Sequence, residues 1–302
     1  MSLPRTPADR PGRLTVGVIG VGRVGATLGA ALARAGHAVT AASGVSRASR
    51  RRADDLLPGV PLLGVPDVLA RCALALLTVP DDELPGLVDG LAGTDAVRPG
   101  QLVVHTSGRY GLGLLDPLTR RGALPLALHP VMTFTGTSVD LERLSGASFG
   151  VTAPESLRPV AEALVIEMGA EPVWVPEEMR TLYHAALANG ANHLVTLVAQ
   201  SADLLRAAGV DEPMRMLAPL LGAALDNTLR GGDAALTGPV ARGDAGTVAA
   251  HLDALRRAAP EAVPAYVAMA RLTADRALAA GRLDPARAAA LLDVLAGNGA
   301  AA

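Results

Sequence analysis

The sequence predicts an α/β domain built on a mostly parallel, doubly wound sheet, followed by an all-α domain. Three observations support this fold class. Over the first 176 residues, short apolar runs alternate with helical patterns, as in strands joined by crossover helices. A glycine-rich turn follows the first apolar run, where such a sheet commonly binds its ligand. From Glu177 onward the sequence shows helical patterns and no strand pattern.

The glycine-rich turn closes the segment Leu14–Gly25, LTVGVIGVGRVG. In a dinucleotide-binding turn the first glycine permits the tight bend, the second lets a pyrophosphate approach, and the third lets the helix pack on the strand. The free N–H groups at the helix start then bind the phosphates. The alternative is a structural turn without a ligand. The predicted cofactor-binding turn consists of Gly20, Val21, Gly22, Arg23, Val24 and Gly25.

The length of 302 residues exceeds what one hydrophobic core usually serves, so we expect two domains. We predict a flexible tail over residues 1–12 and a dinucleotide-binding domain over residues 13–176. A helical domain for substrate binding and dimerisation would follow over residues 177–302.

Charge and composition exclude several classes of protein. The formal net charge of −2 gives no broad attraction to nucleic acid or to acidic membranes. The first residues lack the apolar core of a signal peptide, and the apolar stretch 183–205 carries too many polar groups for a spanning helix. The single Cys72 excludes an intrachain disulfide. We therefore expect a cytoplasmic protein without nucleic-acid, membrane or metal partners.

The end of the second predicted strand, AVTAAS, favours NADP over NAD. An NAD site usually places Asp or Glu there to bind the ribose hydroxyls. This chain has hydroxyl and guanidinium groups instead, which can hold a 2′-phosphate that a carboxylate would repel. We expect Ser43, Ser46 and Arg47 to bind this phosphate. The arginines at positions 50–52 could instead only solvate a helix start.

The third predicted strand, ALALLTVP, ends at the edge of the sheet that faces the ligand crevice. We expect Thr78, Val79 and Pro80 to pass beside the nicotinamide half of the cofactor.

The next two strands, QLVVHTSG and LPLALHP, each end in a histidine. Such a histidine is usually a satisfied core or surface residue, but two at one crevice edge raise the prospect of a functional one. We expect Thr106 and Ser107 to contact the cofactor, and Ser107 also to present its hydroxyl to a substrate carbonyl. His105 and His129 are the two histidines.

The first predicted helix of the second domain carries polar side chains on an apolar element. At 100° per residue, Asn189, Asn192 and His193 share a sector of about 100°, and His184 lies about 80° from Asn192. His184 and Asn192 are roughly 12 Å apart along the axis, so they cannot contact one reacting atom. They could contact opposite ends of a cofactor and substrate pair. Capping of loops or bridging of a dimer is the alternative.

A Gly-Pro loop, LTGPVARGD, lies between two later helices. Arg242 in this loop could clamp a substrate carboxylate bidentately. The alternative is a simple helix connection in which Asp244 caps the next helix.

The chain contains no lysine, because all 27 cationic side chains are arginine. This excludes Schiff-base chemistry, a P-loop lysine and proton donation by an ammonium group. Arginine cannot replace lysine as an acid, since it does not release its proton at working pH. Any general acid must be His, Tyr, a carboxylic acid or water.

Several motifs together resemble the Rossmann-like proteins with a C-terminal domain of the DUF2520 kind: GVIGVGRVG, VVHTSG, LPLALHP, YHAALANGANHLVTL and LTGPVARGD. The architecture is also similar to that of ketopantoate reductase, pyrroline-5-carboxylate reductase and 3-hydroxyisobutyrate dehydrogenase. The resemblance implies a nicotinamide-dependent reductase acting between sheet and helices, often as a homodimer joined through the helical domains. The relatives use a catalytic lysine, where the matching helix of this chain offers His184, Asn189 and Asn192.

We therefore expect an NADP-dependent oxidoreductase that reduces the carbonyl of a small 2-oxo acid, with 2-dehydropantoate (ketopantoate), a precursor of pantothenate, as the best candidate. An imidazole suits proton donation near neutrality, so His184 is the first candidate acid and His129 the second. Asn192 and Ser107 would orient the carbonyl, and Arg242 would hold the carboxylate. The alternatives are an imine reductase of the pyrroline-5-carboxylate type and a non-catalytic NADP-binding sensor or scaffold.

Overall fold

The computed structural model of the chain describes residues 12–297. The predicted tail therefore lies outside the described residues, apart from Gly12. The chain divides into two compact units, one up to Gly190 and the other from Ala191. This division falls inside a continuous helix, Arg180–Ala207, whereas the boundary predicted after residue 176 lies in the turn before that helix.

The first unit contains a seven-stranded sheet in the order β2-β1-β3-β4-β5-β6-β7. Strands β1 to β5 are parallel, β6 is antiparallel to β5, and β7 is parallel to β6. The predicted α/β class with a mostly parallel, doubly wound sheet is therefore confirmed. The strands are β1 (Thr15–Ile19), β2 (Ala38–Ser43), β3 (Leu74–Leu77), β4 (Leu102–His105), β5 (Leu124–Pro130), β6 (Ser148–Thr152) and β7 (Glu171–Trp174).

Helices cover both faces of this sheet. Because side chains alternate along a strand, Leu74 and Leu76 of β3 join one apolar cluster, and Ala75 and Leu77 join another on the opposite face. All four are almost fully buried. The helices of this unit are α1 (Arg23–Arg34), α2 (Arg47–Leu56), α3 (Val65–Ala70), α4 (Leu84–Ala92), α5 (Asp116–Thr119), α6 (Val139–Leu144), α7 (Arg158–Glu167) and the first turns of α8 (Arg180–Ala207).

The strand order creates a switch point between β1 and β3. The chain leaves β1 toward β2 on one side of the sheet and returns to β3 on the other side. In open sheets of this kind, ligands bind outside the carboxyl ends of the strands at such a point. The glycine turn after β1 and Thr78 after β3 lie at this place.

The second unit is helical, as predicted, and buries its own apolar cluster. The LTGPVARGD segment contains a short helix rather than only a loop, because Pro239 has the backbone angle that suits a first helical turn. Asp244 caps the next helix by accepting the N–H of Thr247 at 3.0 Å. None of the helices within residues 12–297 combines the length and hydropathy needed to cross a bilayer. The complete helices of this unit are α9 (Pro213–Gly231), α10 (Gly238–Arg242), α11 (Ala245–Ala258), α12 (Val263–Ala279) and α13 (Pro285–Leu295).

Candidate functional site

The glycine turn after β1 has a backbone that only some residues can adopt. Gly20 has a φ of +94°, which favours glycine. The N–H groups of Gly20 and Val21 donate to the carbonyl of Ser43 at 3.0 and 2.9 Å, which fixes the turn against the end of β2. Gly22 precedes α1, and as a glycine it has no side chain that could cap the N–H groups of the helix. The helix N-terminus is therefore available to an anion.

The three glycines of the turn differ in what surrounds them. A Cβ at Gly25 would collide with the carbonyl oxygen of Gly20 and the hydroxyl of Thr78, so α1 packs on β1 only with glycine there. A Cβ at Gly22 would meet just one atom, the Gly20 oxygen at 4.0 Å. Gly22 thus borders open space while Gly25 is enclosed by protein. This is the arrangement that a pyrophosphate needs, with backbone exposed at the second glycine.

Thr78 joins the end of β3 to this turn. Its hydroxyl donates to the carbonyl of Gly20 at 2.6 Å. Val79 packs against the core, whereas Pro80 is exposed and its carbonyl accepts the N–H of Leu84 as α4 begins. The backbone from Thr78 to Pro80 therefore runs along the predicted crevice.

The residues expected to bind the 2′-phosphate lie at the end of β2 and the start of α2. Ser43 ends β2, and Ser46 caps α2 by accepting the N–H of Ser49 at 3.0 Å. Arg47 is the exposed first residue of α2. Within residues 12–297, the arginines at positions 23, 47, 50, 51 and 52 form no ion pair with a carboxylate, so their charge is available to a ligand.

Two predicted acids, His129 and His184, come together at the carboxyl edge of the sheet. Their ring centroids are 5.8 Å apart with the planes nearly perpendicular. Both rings lie against Gly108, where a Cβ would be 2.6 Å from Cδ2 of His184 and 2.9 Å from Nε2 of His129. The loop after β4, the end of β5 and the start of α8 therefore meet at one point.

Tyr183, which the sequence argument did not single out, completes this cluster. Its hydroxyl oxygen lies 2.8 Å from Nδ1 of His129, and the two rings pack edge to face at 5.6 Å. The hydroxyl also lies against Gly150 of β6, where any side chain would overlap with it. Burial raises the pKa of the Tyr183 phenol, which the nearby charge of Arg180 and a backbone hydrogen bond from Gly150 partly offset.

Arg180 is a second site residue that sequence reasoning missed. It is 1% exposed, although it carries a charge. Its Nη2 donates to the carbonyl of Ser107 at 2.6 Å, and its Nη1 donates to the hydroxyl of Thr152 at 3.0 Å and to the carbonyl of Gly150 at 3.4 Å. Its Nε is buried without a partner, and no carboxylate within the described residues forms an ion pair with it. Burial lowers the pKa of Arg180, and the Tyr183 phenol with the nearby Glu177 and Asp81 carboxylates partly offsets this. Buried charged groups of this kind concentrate at functional sites.

The cationic guanidinium and the burial of the site determine the protonation of the histidines. Burial, then the charges of Arg180, His184 and His105, lower the pKa of His129 to about 4. Burial lowers the pKa of His105 to about 4 as well. Both imidazoles are therefore neutral near pH 7. Nε2 of His105 donates to the carbonyl of Gly111 at 3.0 Å, so His105 orders the loop after β4.

Two further predicted site residues, Thr106 and Ser107, form hydrogen bonds with the backbone of the first unit. Ser107 is 5% exposed, and its hydroxyl oxygen accepts the N–H groups of Arg109 and Tyr110 at 3.2 Å each. The backbone N–H of Thr106 donates to the carbonyl of Leu77 at 3.3 Å. Their contacts with a ligand stay predictions.

Asn189 is an exposed residue near the end of the first unit, whereas Asn192 and Arg242 belong to the second unit and are also exposed. Their catalytic roles stay predictions too. One sequence signal could have identified the missed residues. Arg180, Tyr183 and His184 have the i, i+3, i+4 spacing that places side chains on one face of a helix.

Comparison with protein families identifies both parts of the chain. The model of a Rossmann-like domain matches residues 1–130, and the model of DUF2520, a domain of unknown function, matches residues 147–273. The chain therefore matches a Rossmann-like domain followed by a DUF2520 domain. This confirms the resemblance drawn from the motifs. No curated protein sequence matches the chain.

Several solved structures share the fold of this chain. A protein from Bacteroides fragilis assigned as an NADP oxidoreductase has a TM-score of 0.72 and 20% identity, over 87% of this chain and 98% of that one. A 1-pyrroline-5-carboxylate reductase from Streptococcus pyogenes has a TM-score of 0.58 and 14% identity, over 88% and 98%. A pyrroline carboxylate reductase from Plasmodium falciparum with NADP bound has a TM-score of 0.57 and 11% identity, over 95% and 100%. At these identities the likeness establishes the fold alone.

Proposed function

We propose that the protein is an NADP-dependent oxidoreductase that reduces the carbonyl of a small 2-oxo acid, with ketopantoate as the first candidate substrate. The observation that carries the proposal is the convergence of His129 and His184 on Gly108, with the Tyr183 hydroxyl bonded to His129. This cluster lies at the carboxyl edge of the same sheet whose switch point holds the glycine turn. A dinucleotide site and proton-donating groups on one edge fit a reductase.

The cofactor proposal rests on the glycine turn and on the end of β2. Gly22 leaves room for a pyrophosphate, and no acidic residue occupies the end of β2 where NAD sites usually carry one. Two proteins of similar fold, one assigned as an NADP oxidoreductase and one solved with NADP bound, agree with this choice. A bound reduced nicotinamide would supply the hydride.

The contribution of the chain's own residues is to place and deliver a proton. His184 and His129 both pack against Gly108, and we propose that one of these imidazoles gives a proton to a carbonyl oxygen bound beside them. The buried Arg180 holds the carbonyl of Ser107 and thereby fixes the loop that carries Gly108. Because the chain has no lysine, the acid must be one of these imidazoles, the Tyr183 phenol, a carboxylic acid or water.

The direct test is NADPH consumption by the pure protein with a panel of 2-oxo acids. We expect turnover with at least one acid, and a loss of roughly 100-fold or more in kcat for His129→Ala or His184→Ala, whichever is the donor. His251→Ala, in the second unit, is the control for a histidine outside this cluster. Binding of NADPH without turnover of any acid would instead support a sensor or scaffold.

A second candidate reaction is reduction of a cyclic imine, as in pyrroline-5-carboxylate reductases. Two such enzymes share the fold over 88% and 95% of this chain. An imine nitrogen can carry its proton into the reaction, so an acid is less needed. Turnover of 1-pyrroline-5-carboxylate that survives both histidine substitutions would favour this reaction over reduction of a carbonyl.

Cofactor choice has its own test in Arg47, which is exposed at the start of α2 and forms no ion pair with any carboxylate of residues 12–297. We expect Arg47→Ala to weaken NADPH binding while leaving NADH binding unchanged, because only NADPH has the 2′-phosphate. Arg257→Ala, an exposed arginine of the second unit, is the control. Equal binding of NADPH and NADH by the parent protein would refute a phosphate-reading site.

We also propose that the protein is a homodimer joined through its helical unit. Large apolar side chains are exposed there, among them Val195 at 70%, Leu220 at 63% and Leu229 at 78%. Exposed apolar surface of this kind marks interaction sites. Sedimentation should give twice the chain mass of 30.6 kDa, and Leu220→Glu combined with Leu229→Glu should give monomers. A monomeric parent protein would contradict the proposal.

A further inference from the structure

We propose that Tyr183, His129 and Arg180 form a proton relay, in which Nε2 of His129 protonates the substrate oxygen and Tyr183 returns a proton to Nδ1. This inference rests on the reductase function proposed above and identifies which group is its acid. In this proposal His129 donates the proton, and His184 only packs beside it.

The first step of the argument is the geometry around the imidazole of His129. Nδ1 lies 2.8 Å from the Tyr183 hydroxyl, a normal hydrogen-bond distance. Nε2, on the opposite side of the ring, lies against Gly108, where an added methyl carbon would be 2.9 Å away. The imidazole ring of His129 therefore lies between the Tyr183 phenol and Gly108.

The second step is the position of the protons. A neutral imidazole has one N–H and one acceptor nitrogen, and burial with the nearby charges keeps His129 neutral by lowering its pKa to about 4. The relay uses the tautomer in which the Tyr183 O–H donates to Nδ1 across the 2.8 Å contact. The proton of His129 is then on Nε2, which faces Gly108.

The third step is the charge that Arg180 supplies. Its guanidinium carbon is 5.9 Å from the centre of the Tyr183 ring, and no carboxylate of residues 12–297 forms an ion pair with it. Hydrogen bonds to Ser107, Thr152 and Gly150 hold it in place. The charge of Arg180 lowers the pKa of the Tyr183 phenol and so offsets part of the rise that burial causes. Arginine cannot give up its proton, so its role here is electrostatic.

The proton transfer balances without any further reactant. As the substrate carbon accepts its hydride, the Nε2–H bond of His129 breaks and an O–H bond forms on the substrate oxygen. The O–H bond of Tyr183 breaks and an N–H bond forms at Nδ1, which leaves a phenolate beside Arg180. After product release, water protonates Nε2 and the Nδ1 proton returns to the phenolate.

The chain contains a matched control for this pair. His251 and Tyr266 in the second unit form the same contact, with Nδ1 2.8 Å from the hydroxyl and edge-to-face rings at 6.0 Å. Tyr266→Phe removes an equivalent hydroxyl outside the proposed relay. Tyr183→Phe keeps the ring that packs against Gly150, so the variant should retain the fold.

The experiment compares Tyr183→Phe, His129→Gln and Tyr266→Phe with the parent protein. We expect kcat to fall roughly 100-fold or more in His129→Gln and at least about tenfold in Tyr183→Phe, with KM and NADPH affinity within about twofold. Tyr266→Phe should match the parent. The solvent isotope effect of the parent should report two protons in motion, and that of Tyr183→Phe only one.

Nitrogen NMR of the imidazoles, without cofactor or substrate, gives a readout that does not depend on activity. His129 should carry its proton on Nε2. An Nδ1–H tautomer, or a Tyr183→Phe protein as active as Tyr266→Phe, would overturn the relay and leave the proposed reductase function standing. A parent protein that turns over no 2-oxo acid would overturn the proposed function itself.

Discussion

At the scale of single residues, the candidate site was partly predictable. His129 and His184 stood out because one follows an apolar strand and the other interrupts an apolar helix. Arg180 and Tyr183 did not, because an arginine and a tyrosine in the first turn of a helix have many ordinary roles. Their function depends on burial and on contacts with β6. Gly150 of β6, whose carbonyl accepts a hydrogen bond from Arg180, is 30 residues away from it along the chain. Local patterns do not contain such long-range pairings.

Gly108 gives the most direct prediction at this scale. A methyl group at this position would press on the rings of His129 and His184, although the backbone itself permits alanine. We expect Gly108→Ala to keep the fold and to lower kcat at least about tenfold, because reacting groups displaced by an ångström lose much of their effect. Steady-state kinetics with thermal unfolding as the control checks this. Unchanged kcat would show that the reaction occurs elsewhere.

At the scale of elements, the strand-turn-helix unit around the glycine turn was well predicted. Its glycines have spacings that depend on local backbone geometry, and these are visible in sequence. The start of α2 was harder to interpret, since Ser46 forms a helix cap and its role toward a phosphate is not decided by residue type. The short helix at Pro239 was missed for a similar reason, because Gly-Pro also begins many turns.

Gly25 tests how α1 packs on β1. A Cβ there would collide with the Gly20 carbonyl and the Thr78 hydroxyl, both parts of the turn itself. We expect Gly25→Ala to lower the free energy of unfolding by about 1 to 3 kcal/mol or more, as overpacking does. Gly22→Ala, whose Cβ enters open space, is the matched control and should unfold like the parent. Equal unfolding midpoints for both variants in urea would contradict this packing.

At the scale of the whole molecule, the fold class could be read from the sequence because two periodicities separate cleanly at the predicted boundary. The division of the structure after Gly190 was not readable, since α8 continues through it without a break in pattern. A continuous apolar helix gives no local sign of where one unit ends. Two histidines of the seven-stranded sheet, His105 and His129, also make the free energy of unfolding sensitive to acid.

The pH dependence of stability follows from His105 and His129. Burial lowers the pKa of each to about 4, whereas the unfolded chain titrates near 6.5. Between these values the unfolded chain binds more protons, so the free energy of unfolding falls as the pH decreases from about 6.5 to about 4. Each pKa unit of difference corresponds to about 1.4 kcal/mol.

Urea unfolding across this pH range measures the effect. The loss of stability in acid should be smaller in His129→Gln than in the parent, and unchanged in His251→Gln. The carboxyl groups are the same in all three proteins, so the difference between variants isolates the histidine. A His129→Gln protein with the parent's acid sensitivity would contradict a neutral, buried His129.

The central claim is that a dinucleotide lies on the turn between β1 and α1, and titration with NADPH tests it most directly. Nicotinamide fluorescence should show saturable binding to the parent protein. Gly22→Ala, with its fold intact, should bind at least about tenfold more weakly because its methyl group occupies the space of the pyrophosphate. Absence of binding to the parent, or equal affinity in Gly22→Ala, would contradict the claim.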